Sequence, residues 1–327
     1  MRRFAAAWLA ALALLVATAM AADLAPGQAV FVTLGTGGGP LTRVKRSEPA
    51  NALVVNGAVY LFDAGDGVQR QLAAAGLSVH AVRAVFVSHH HIDHNGGLAP
   101  LLVTRWLLNE RAPLPVIGPP GTNAMIDGIA SAYRATEFAP ITIGGPPMPA
   151  IRATLAPQEL SATLDAPTVV YQDANIRVLA ITNDHYHFPP GSAAAAAARS
   201  YAFRIETAGR TIVYTGDSGP SAHLAALAAG CDLLVSEVID MHAMAAVLAR
   251  ANDIPPAARA PMMAHMAQDH LTPENVARLA AAAGAKRVVL THLSPGMDDE
   301  TSTAGYTAGV AAIYPGPVSV ANDLDRF

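Results

Sequence analysis

The amino-acid sequence predicts an α/β fold in which two β-sheets pack face to face and helices cover their outer surfaces. Short apolar runs rich in Val, Ile and Leu alternate with Ala-rich stretches along the chain, a pattern typical of strands interleaved with helices. Residues 60–67 and residues 211–218 each form a strand-like run that ends in a Gly/Asp turn and leads through a helical stretch into another apolar strand. Two similar halves predict two sheets and a site where loops from both halves meet, with chance similarity as the alternative because Ala and Gly are so frequent.

The predicted strands are short runs of β-branched and other apolar residues, at residues 30–34, 53–55, 59–62, 82–87, 176–181, 201–205, 211–214, 233–235 and 288–291. Helical patterns fall at residues 68–75, 221–229, 241–251 and 273–283. The last helix is well delimited, because Thr272 is a suitable N-cap, Pro273 occupies the first position and Gly284 ends it. Residues 113–167 are rich in Pro and weakly periodic, and we interpret them as an insertion or a loop-rich flank.

Residues 1–22 have the layout of a secretory signal peptide. Arg2 and Arg3 precede an uncharged run rich in Ala and Leu, which ends in small residues just before Asp23. An uncleaved membrane anchor is the alternative, because the apolar run is close to spanning length. The sequence therefore predicts export to the periplasm and a single mature domain over residues 23–327, free of the membrane after cleavage.

The mature chain is mildly acidic and poor in lysine. Without Arg2 and Arg3, the 21 basic and 25 acidic residues become 19 and 25, a formal charge of −6. The chain also lacks a Gly/Pro-bounded basic arm that could grip tRNA. Since proteins that bind long nucleic acids need a basic surface, the composition argues against such a partner and favours a small-molecule substrate. The oligomeric state, a homodimer included, is left open by the sequence.

Candidate metal ligands are concentrated in residues 89–94, His-His-His-Ile-Asp-His, directly after an apolar strand. His89, His91 and Asp93 alternate, so their side chains can point the same way from an extended turn, while His94 can turn towards a second point. Imidazole nitrogens and a carboxylate suit Zn²⁺, with Fe and Mn as alternatives. Neutral His and Asp are costly to bury unpaired, so this segment is a poor candidate for core packing. It therefore predicts two neighbouring clusters of metal ligands.

The segment resembles the H-x-H-x-D-H signature of the metallo-β-lactamase superfamily, and further motifs extend the resemblance over most of the mature chain. Residues 34–40 resemble the opening turn of the branch that contains ribonuclease Z and arylsulfatase-like hydrolases, and residues 61–65 resemble the first-half turn of the superfamily. Residues 215–217 resemble its bridging-Asp turn, and residues 289–293 resemble the strand that ends in its last ligand His. The resemblance implies a metal-dependent hydrolase with the four-layer αββα sandwich of that superfamily.

The resemblance also implies a ligand set for two divalent metal ions, with Zn²⁺ favoured. The ligands come from both halves of the chain, with one ion held by His89, His91 and a His within residues 183–187, the other held by Asp93, His94 and His292, and Asp217 bridging both. Within residues 183–187, His185 is favoured because it follows an apolar strand by a short turn and matches an Asn-x-His-Tyr pattern of the branch. His187 is the alternative.

Two catalytic residues follow from the same resemblance. Asp93 is expected to orient, or take a proton from, a water molecule that the two ions activate. His270 resembles a His that assists the leaving group in the ribonuclease Z branch, although the Leu-Thr that follows departs from His-Ser-Thr and a capping or surface role is the alternative. His265 is left open as a second His of the pocket. Asp63 is expected to act as a structural hydrogen-bond acceptor that orients a ligand His.

The activity implied by the resemblance is hydrolysis of a phosphodiester, sulfate ester or carboxylic ester by a metal-bridged hydroxide, ribonuclease Z-like by ancestry. A lactonase or β-lactamase using the same site is one alternative, and a non-catalytic or redox metal-binding protein is another. The bridging Asp217 argues against a true di-zinc β-lactamase. His91 argues against the di-iron relatives, which have Glu at that position.

Overall fold

Two β-sheets lie at the centre of the computed structural model, which describes residues 27–141 and 146–327. Within the described residues the first sheet has six strands, which follow chain order from edge to edge: β1 (Ala29–Gly35), β2 (Ala50–Val55), β3 (Ala58–Ala64), β4 (Val82–Phe86), β5 (Leu114–Gly118) and β6 (Leu155–Glu159). The pairs β1–β2 and β2–β3 are antiparallel, whereas β3 to β6 run parallel. The signal peptide predicted for residues 1–22 lies outside the described residues.

The second sheet repeats this plan with seven strands in the described part of the chain, again in chain order: β7 (Thr168–Gln172), β8 (Arg177–Thr182), β9 (Tyr201–Glu206), β10 (Thr211–Tyr214), β11 (Leu233–Ile239), β12 (Val288–Ser294) and β13 (Val318–Val320). Strands β7 to β10 are antiparallel neighbours, and β10 to β13 run parallel. The two halves inferred from the sequence therefore correspond to two sheets of similar construction.

Helices connect the strands and cover both sheets. Those within the described residues are α1 (Val68–Ala74), α2 (Ile92–Asn95), α3 (Leu98–Leu107), α4 (Thr122–Ala132), α5 (Ala193–Ala197), α6 (Ala222–Ala228), α7 (Met241–Arg250), α8 (Pro256–Asp269) and α9 (Pro273–Ala283). The helix α9 has the predicted bounds, with Thr272 accepting a hydrogen bond from the Asn275 amide and Gly284 in a left-handed conformation at its end. Among these helices none is long and apolar enough to cross a membrane.

Three layers of buried apolar side chains separate four layers of secondary structure. The central layer lies between the sheets and includes the aromatic rings of Phe62, Phe86 and Phe203. A second apolar layer packs α1, α3 and α4 against the first sheet, and a third packs α6 and α9 against the second sheet. This is the predicted αββα sandwich, because each sheet buries both of its faces.

The interpretation of residues 113–167 as an insertion or loop-rich flank is wrong for most of the segment. It contains β5, α4 and β6, so it completes the parallel half of the first sheet. Pro115 in β5 and Pro157 in β6 interrupt the apolar pattern by which a strand is recognised. The strand β6 is also at the sheet edge and mostly solvent-facing, where proline is tolerated.

Replacement of Phe203 tests the central apolar layer. Its side chain is fully buried, and its ring centroid lies 5.9 Å from that of Phe62 and 5.7 Å from that of Phe86. We expect Phe203→Ala to lower the free energy of unfolding by about 3–5 kcal/mol, measured by urea denaturation, because the cavity cannot collapse between two sheets. The control Phe138→Ala, whose side chain is 81% exposed, should change it by less than about 0.5 kcal/mol. Equal effects of the two substitutions would contradict the assignment of the core.

Candidate metal centre

The predicted metal-binding residues lie where strands of both sheets end at one edge of the sandwich. In the first sheet, β4 leads into residues 88–94, and α2 begins within that segment at Ile92. In the second sheet, β8 leads to His185, β10 leads to Asp217, and β12 contains His292. Because the carboxyl ends of parallel strands meet at one edge, side chains that are far apart in sequence come together there.

One cluster consists of His89, His91 and His185, each of which offers a ring nitrogen within 4.8 Å of the others. The Nδ1 atom of His91 lies 3.0 Å from Nε2 of His89 and 3.2 Å from Nε2 of His185. His89 and His185 are buried, whereas His91 is exposed. The cluster therefore opens to solvent on the side of His91.

The other cluster consists of Asp93, His94, Asp217 and His292, all of them buried. The Oδ2 atom of Asp217 lies 3.1 Å from Nε2 of His292 and 3.3 Å from Nε2 of His94. The same oxygen lies 3.9 Å from Nε2 of His89 in the first cluster. Asp217 therefore stands between the two clusters, where a bridging ligand is expected.

Several buried ligand atoms of the second cluster lack a hydrogen-bond partner in the described part of the chain. They are Nε2 of His94, Nε2 of His292 and Oδ1 of Asp217. A buried polar atom without a partner is costly, and a divalent cation would give all three atoms a partner. Nitrogen and carboxylate donors without thiolates fit Zn²⁺ well and are compatible with Fe or Mn. The residues therefore fit divalent metal ions.

Asp63 orients His94 from outside the ligand set. Its buried carboxylate accepts hydrogen bonds from the Ser88 amide at 2.7 Å, the Ser88 hydroxyl at 2.8 Å and the Tyr214 hydroxyl at 2.7 Å. Its Oδ2 also lies 2.8 Å from Nδ1 of His94. Since a carboxylate can only accept, Nδ1 of His94 donates to Asp63, and Nε2 is the nitrogen that faces the cluster. The geometry matches the orienting role expected of Asp63.

The two histidines that the sequence left open lie outside both clusters. His187 places Nδ1 2.6 Å from Oδ1 of Asp269, and His265 places Nδ1 2.9 Å from Oδ2 of the same carboxylate. It is His185 that lies beside His89 and His91. The structure therefore brings His185, and not His187, into the position expected for the third histidine of the first cluster.

His270 pairs with Glu237, which was not among the site residues predicted from the sequence. The Nδ1 atom of His270 lies 2.8 Å from Oε2 of Glu237, whose Oε1 accepts a hydrogen bond from the Ser218 amide at 2.7 Å. The His270 ring centroid lies 5.1 Å from that of His185 and 5.9 Å from that of His292. The sequence did contain one clue, because Glu237 is an acidic residue within the apolar strand β11. Every residue of that strand is buried.

The histidines of the first cluster are neutral in the metal-free site. Burial lowers the pKa of His89 well below its usual value and lowers that of His185 to about 3. The pKa of His91 is also lowered, chiefly because neighbouring side chains desolvate its ring although part of the residue reaches solvent. Neutral imidazole is the form that binds a metal ion, so this cluster requires no loss of protons from its rings on binding.

The second cluster contains charges of both signs in the metal-free site. Burial opposes a charge on His292, but Asp217 outweighs it and raises the pKa to about 10. Burial likewise opposes a charge on His94, whose pKa is raised well above its usual value by Asp217, Asp93 and Asp63. In return, the pKa values of Asp93 and Asp217 are lowered because their histidine neighbours outweigh burial. The two acids and two histidines thus neutralise each other.

Comparison with protein families and characterised sequences gives consistent matches. The family described as "Beta-lactamase superfamily domain" matches residues 59–293. A ribonuclease Z from Mycobacterium sp. (strain KMS) is 29% identical over 309 residues, which cover 91% of this chain and 95% of that protein. The family match therefore includes all residues of both clusters and most strands of both sheets.

Solved structures share the fold at lower sequence identity. The metallo-β-lactamase fold protein YhfI from Bacillus subtilis aligns with a TM-score of 0.64 at 18% identity, covering 91% of this chain and 98% of that one. The short form of human tRNase Z aligns with a TM-score of 0.63 at 23% identity, covering 91% and 98%. These alignments support the αββα architecture over the described residues.

Proton release tests the charge state of the second cluster. His94 and His292 have raised pKa values and are protonated at neutral pH, so each must lose a proton when a metal ion binds. We expect zinc binding to the metal-free protein at about pH 6, below the pKa of about 7 of a zinc-bound water, to release about two protons from these two rings. Calorimetry in buffers of different ionisation enthalpy measures this number, and affinity should rise with pH until it passes the pKa of His292. His292→Ala should reduce the release by about one proton, and no release from the wild-type protein would contradict the charge assignment.

Proposed function

Because this chain belongs to the metallo-β-lactamase superfamily and is a metal-dependent hydrolase, we propose that it cleaves a phosphodiester or related ester at a dinuclear Zn²⁺ site. The observation that carries the proposal is the pair of adjoining clusters, with Asp217 between them and His270 at their border. A site built for one structural ion would not need the second cluster. A complete set of ligands from both halves of the chain supports catalysis over a metal-binding role alone.

The residues that would hold the ions are those of the two clusters. The first position would be formed by His89, His91 and His185, the second by Asp93, His94 and His292, with Asp217 shared. When bound, two divalent ions lower the pKa of a shared water molecule and offset negative charge on a phosphate ester. The first cluster is neutral and the acids of the second are paired with its histidines, so these residues can be buried side by side.

Asp93 is placed to orient the attacking water. The Gly39 amide donates a hydrogen bond of 3.1 Å to Oδ2 of Asp93, and a Cβ at position 39 would lie 2.3 Å from the Asp93 side chain. Glycine is therefore required there, and the amide holds the carboxylate in one orientation. Because its pKa is lowered, Asp93 stays charged near neutral pH and can accept a hydrogen bond from water.

His270 is placed to protonate the leaving group. Burial opposes a charge on His270, but the Glu237 carboxylate outweighs it and raises the pKa of the imidazole. Glu237 engages Nδ1, so Nε2 is the nitrogen left to donate a proton. A positively charged imidazole beside both clusters can neutralise the oxygen that departs from phosphorus.

The proposed substrate is a small phosphodiester. The acidic, Lys-poor composition supports this choice over a long nucleic acid. The names ribonuclease Z and tRNase Z of similar proteins weaken that argument, so RNA is the competing substrate that an assay must include. Export to the periplasm, predicted from residues 1–22, remains part of the proposal and agrees with a small substrate.

A substrate screen on the zinc-loaded protein tests this function. We expect bis-p-nitrophenyl phosphate to be hydrolysed faster than p-nitrophenyl sulfate, a lactone, nitrocefin or a precursor tRNA. His89→Ala should lower the rate by about a hundredfold or more, because loss of a ligand costs at least as much as loss of its outer partner. His242→Ala, at an exposed histidine near the start of α7, should leave the rate unchanged. Equal rates for His89→Ala and the wild-type protein would show that the site assignment is wrong. Faster cleavage of the precursor tRNA than of bis-p-nitrophenyl phosphate would contradict the proposal of a small substrate.

The role of His270 predicts a dependence on the leaving group. We expect His270→Ala to lower kcat by about 10²–10⁴-fold for diphenyl phosphate and far less for bis-p-nitrophenyl phosphate, whose leaving group needs no proton. Glu237→Gln removes the charge that raises the pKa of His270, so the loss of activity at alkaline pH should begin at lower pH. Rates against pH for both esters measure these effects. An equal decrease for both esters would indicate a structural role for His270.

A further inference from the structure

A carboxylate outside the two clusters is buried between two histidines. Asp269 is the last residue of α8 and the buried residue of that otherwise exposed or half-exposed helix. Its Oδ1 lies 2.6 Å from Nδ1 of His187, and its Oδ2 lies 2.9 Å from Nδ1 of His265. A buried carboxylate needs partners for both oxygens, and these two rings supply them. We call Asp269, His187 and His265 the Asp269 clamp.

The main chain of Asp269 contacts the first cluster directly. Its carbonyl oxygen lies 3.0 Å from Nδ1 of His185, and both residues are buried. The last carbonyls of a helix have no partner within the helix, so this oxygen is available at the end of α8. A carbonyl can only accept, so His185 carries its proton on Nδ1 and presents the Nε2 lone pair towards His91, 3.2 Å away.

Close backbone packing fixes this carbonyl relative to the site. The Gly219 amide donates a hydrogen bond of 2.9 Å to the carbonyl of Asp184, the residue before His185. A Cβ on Gly219 would lie 2.0 Å from the carbonyl oxygen of Gln268, the residue before Asp269. The end of α8, the His185 loop and the turn after Asp217 therefore meet with no room for a side chain between them.

We propose that Asp269 is a positioning residue whose side chain, held by His187 and His265, fixes the carbonyl that orients His185. Asp269 binds the His185 loop at two points. Its carbonyl oxygen accepts a hydrogen bond from His185, and its carboxylate pairs with His187, two residues further along the chain. Among the described residues, its hydrogen bonds and ion pairs reach none of the second cluster, where Asp63 orients His94. The Asp269 clamp therefore sets the affinity of the first metal position and leaves the second unchanged. This inference rests on the proposed dinuclear function.

Asp269→Asn tests the proposal with little change in size. Asparagine has one acceptor oxygen and an amide that donates, so it cannot accept hydrogen bonds from both rings. We expect the affinity for one of two bound Co²⁺ ions to fall about 10–100-fold while the other is retained, as for outer partners of metal ligands. Titration of the full chain with Co²⁺, followed by visible absorption and chelator competition, measures both affinities. His185→Ala and His292→Ala identify which absorption band belongs to which position.

Two further variants make the test specific. Glu110→Gln breaks a matched His–carboxylate pair, His80–Glu110, which is remote from both clusters, and should leave both affinities unchanged. His265→Ala alters a ring that is 64% exposed, so the protein should fold, and a weaker loss of the same ion is expected. The inference is overturned if Asp269→Asn lowers both Co²⁺ affinities equally or lowers neither. If that variant does not fold, the inference is overturned when His265→Ala leaves both affinities unchanged. If the wild-type protein binds fewer than two ions, the proposed dinuclear function is overturned as well. If it binds two ions but the variants bind them with wild-type affinities, only this inference is overturned.

Discussion

The carboxylate of Asp63 joins the two sheets at the edge where the candidate metal centre lies. Asp63 belongs to β3 of the first sheet and accepts hydrogen bonds from Tyr214 in the second sheet and from Ser88 and His94 after β4. Its backbone is left-handed, with φ of 62°, which costs on the order of 1–2 kcal/mol. Each hydrogen bond to a charged group contributes about 1.5–3 kcal/mol, so the hydrogen bonds outweigh the strain. The same carboxylate therefore holds the two sheets together and holds the segment that carries the candidate ligands.

Four imidazoles of the site are held on the nitrogen that faces away from the clusters, whereas Nδ1 of His292 has no hydrogen-bond partner among the described residues. The oxygen partners are Ser88 Oγ for His89, Asp63 for His94, the Asp269 carbonyl for His185 and Glu237 for His270. The Ser88 hydroxyl also donates to Asp63, so the influence of Asp63 extends to the first cluster. A ring held at one nitrogen has its tautomer and direction decided before any ligand binds. This arrangement explains how five chain segments can form one site without a large rearrangement.

The fold was predictable where the chain is locally regular. The strand at residues 211–214 and the helix at residues 273–283 have the bounds expected from their patterns, because β-branched runs and clear helix caps act over a few residues. Strands β5 and β6 were missed because Pro115 and Pro157 interrupt their patterns. In the folded sheet β5 pairs with β4 on one side and with β6 on the other, so the strong strand β4 provides the edge on which the two weaker strands form. Tertiary context therefore overrides weak local preference there.

By itself, the sequence predicted metal ligands in residues 89–94, because suitable residue types at a suitable spacing lie within one short segment. Resemblance to a family added Asp217 and His292 through the order of motifs. Only the tertiary structure placed His185, and not His187, beside His89. It alone revealed the pairing of Glu237 with His270 and of Asp269 with His187, whose members are 33 and 82 residues apart. The physical reason is that the role of a single acidic residue depends on the hydrogen-bond donors that surround it and on its burial from water, and both are set by tertiary packing.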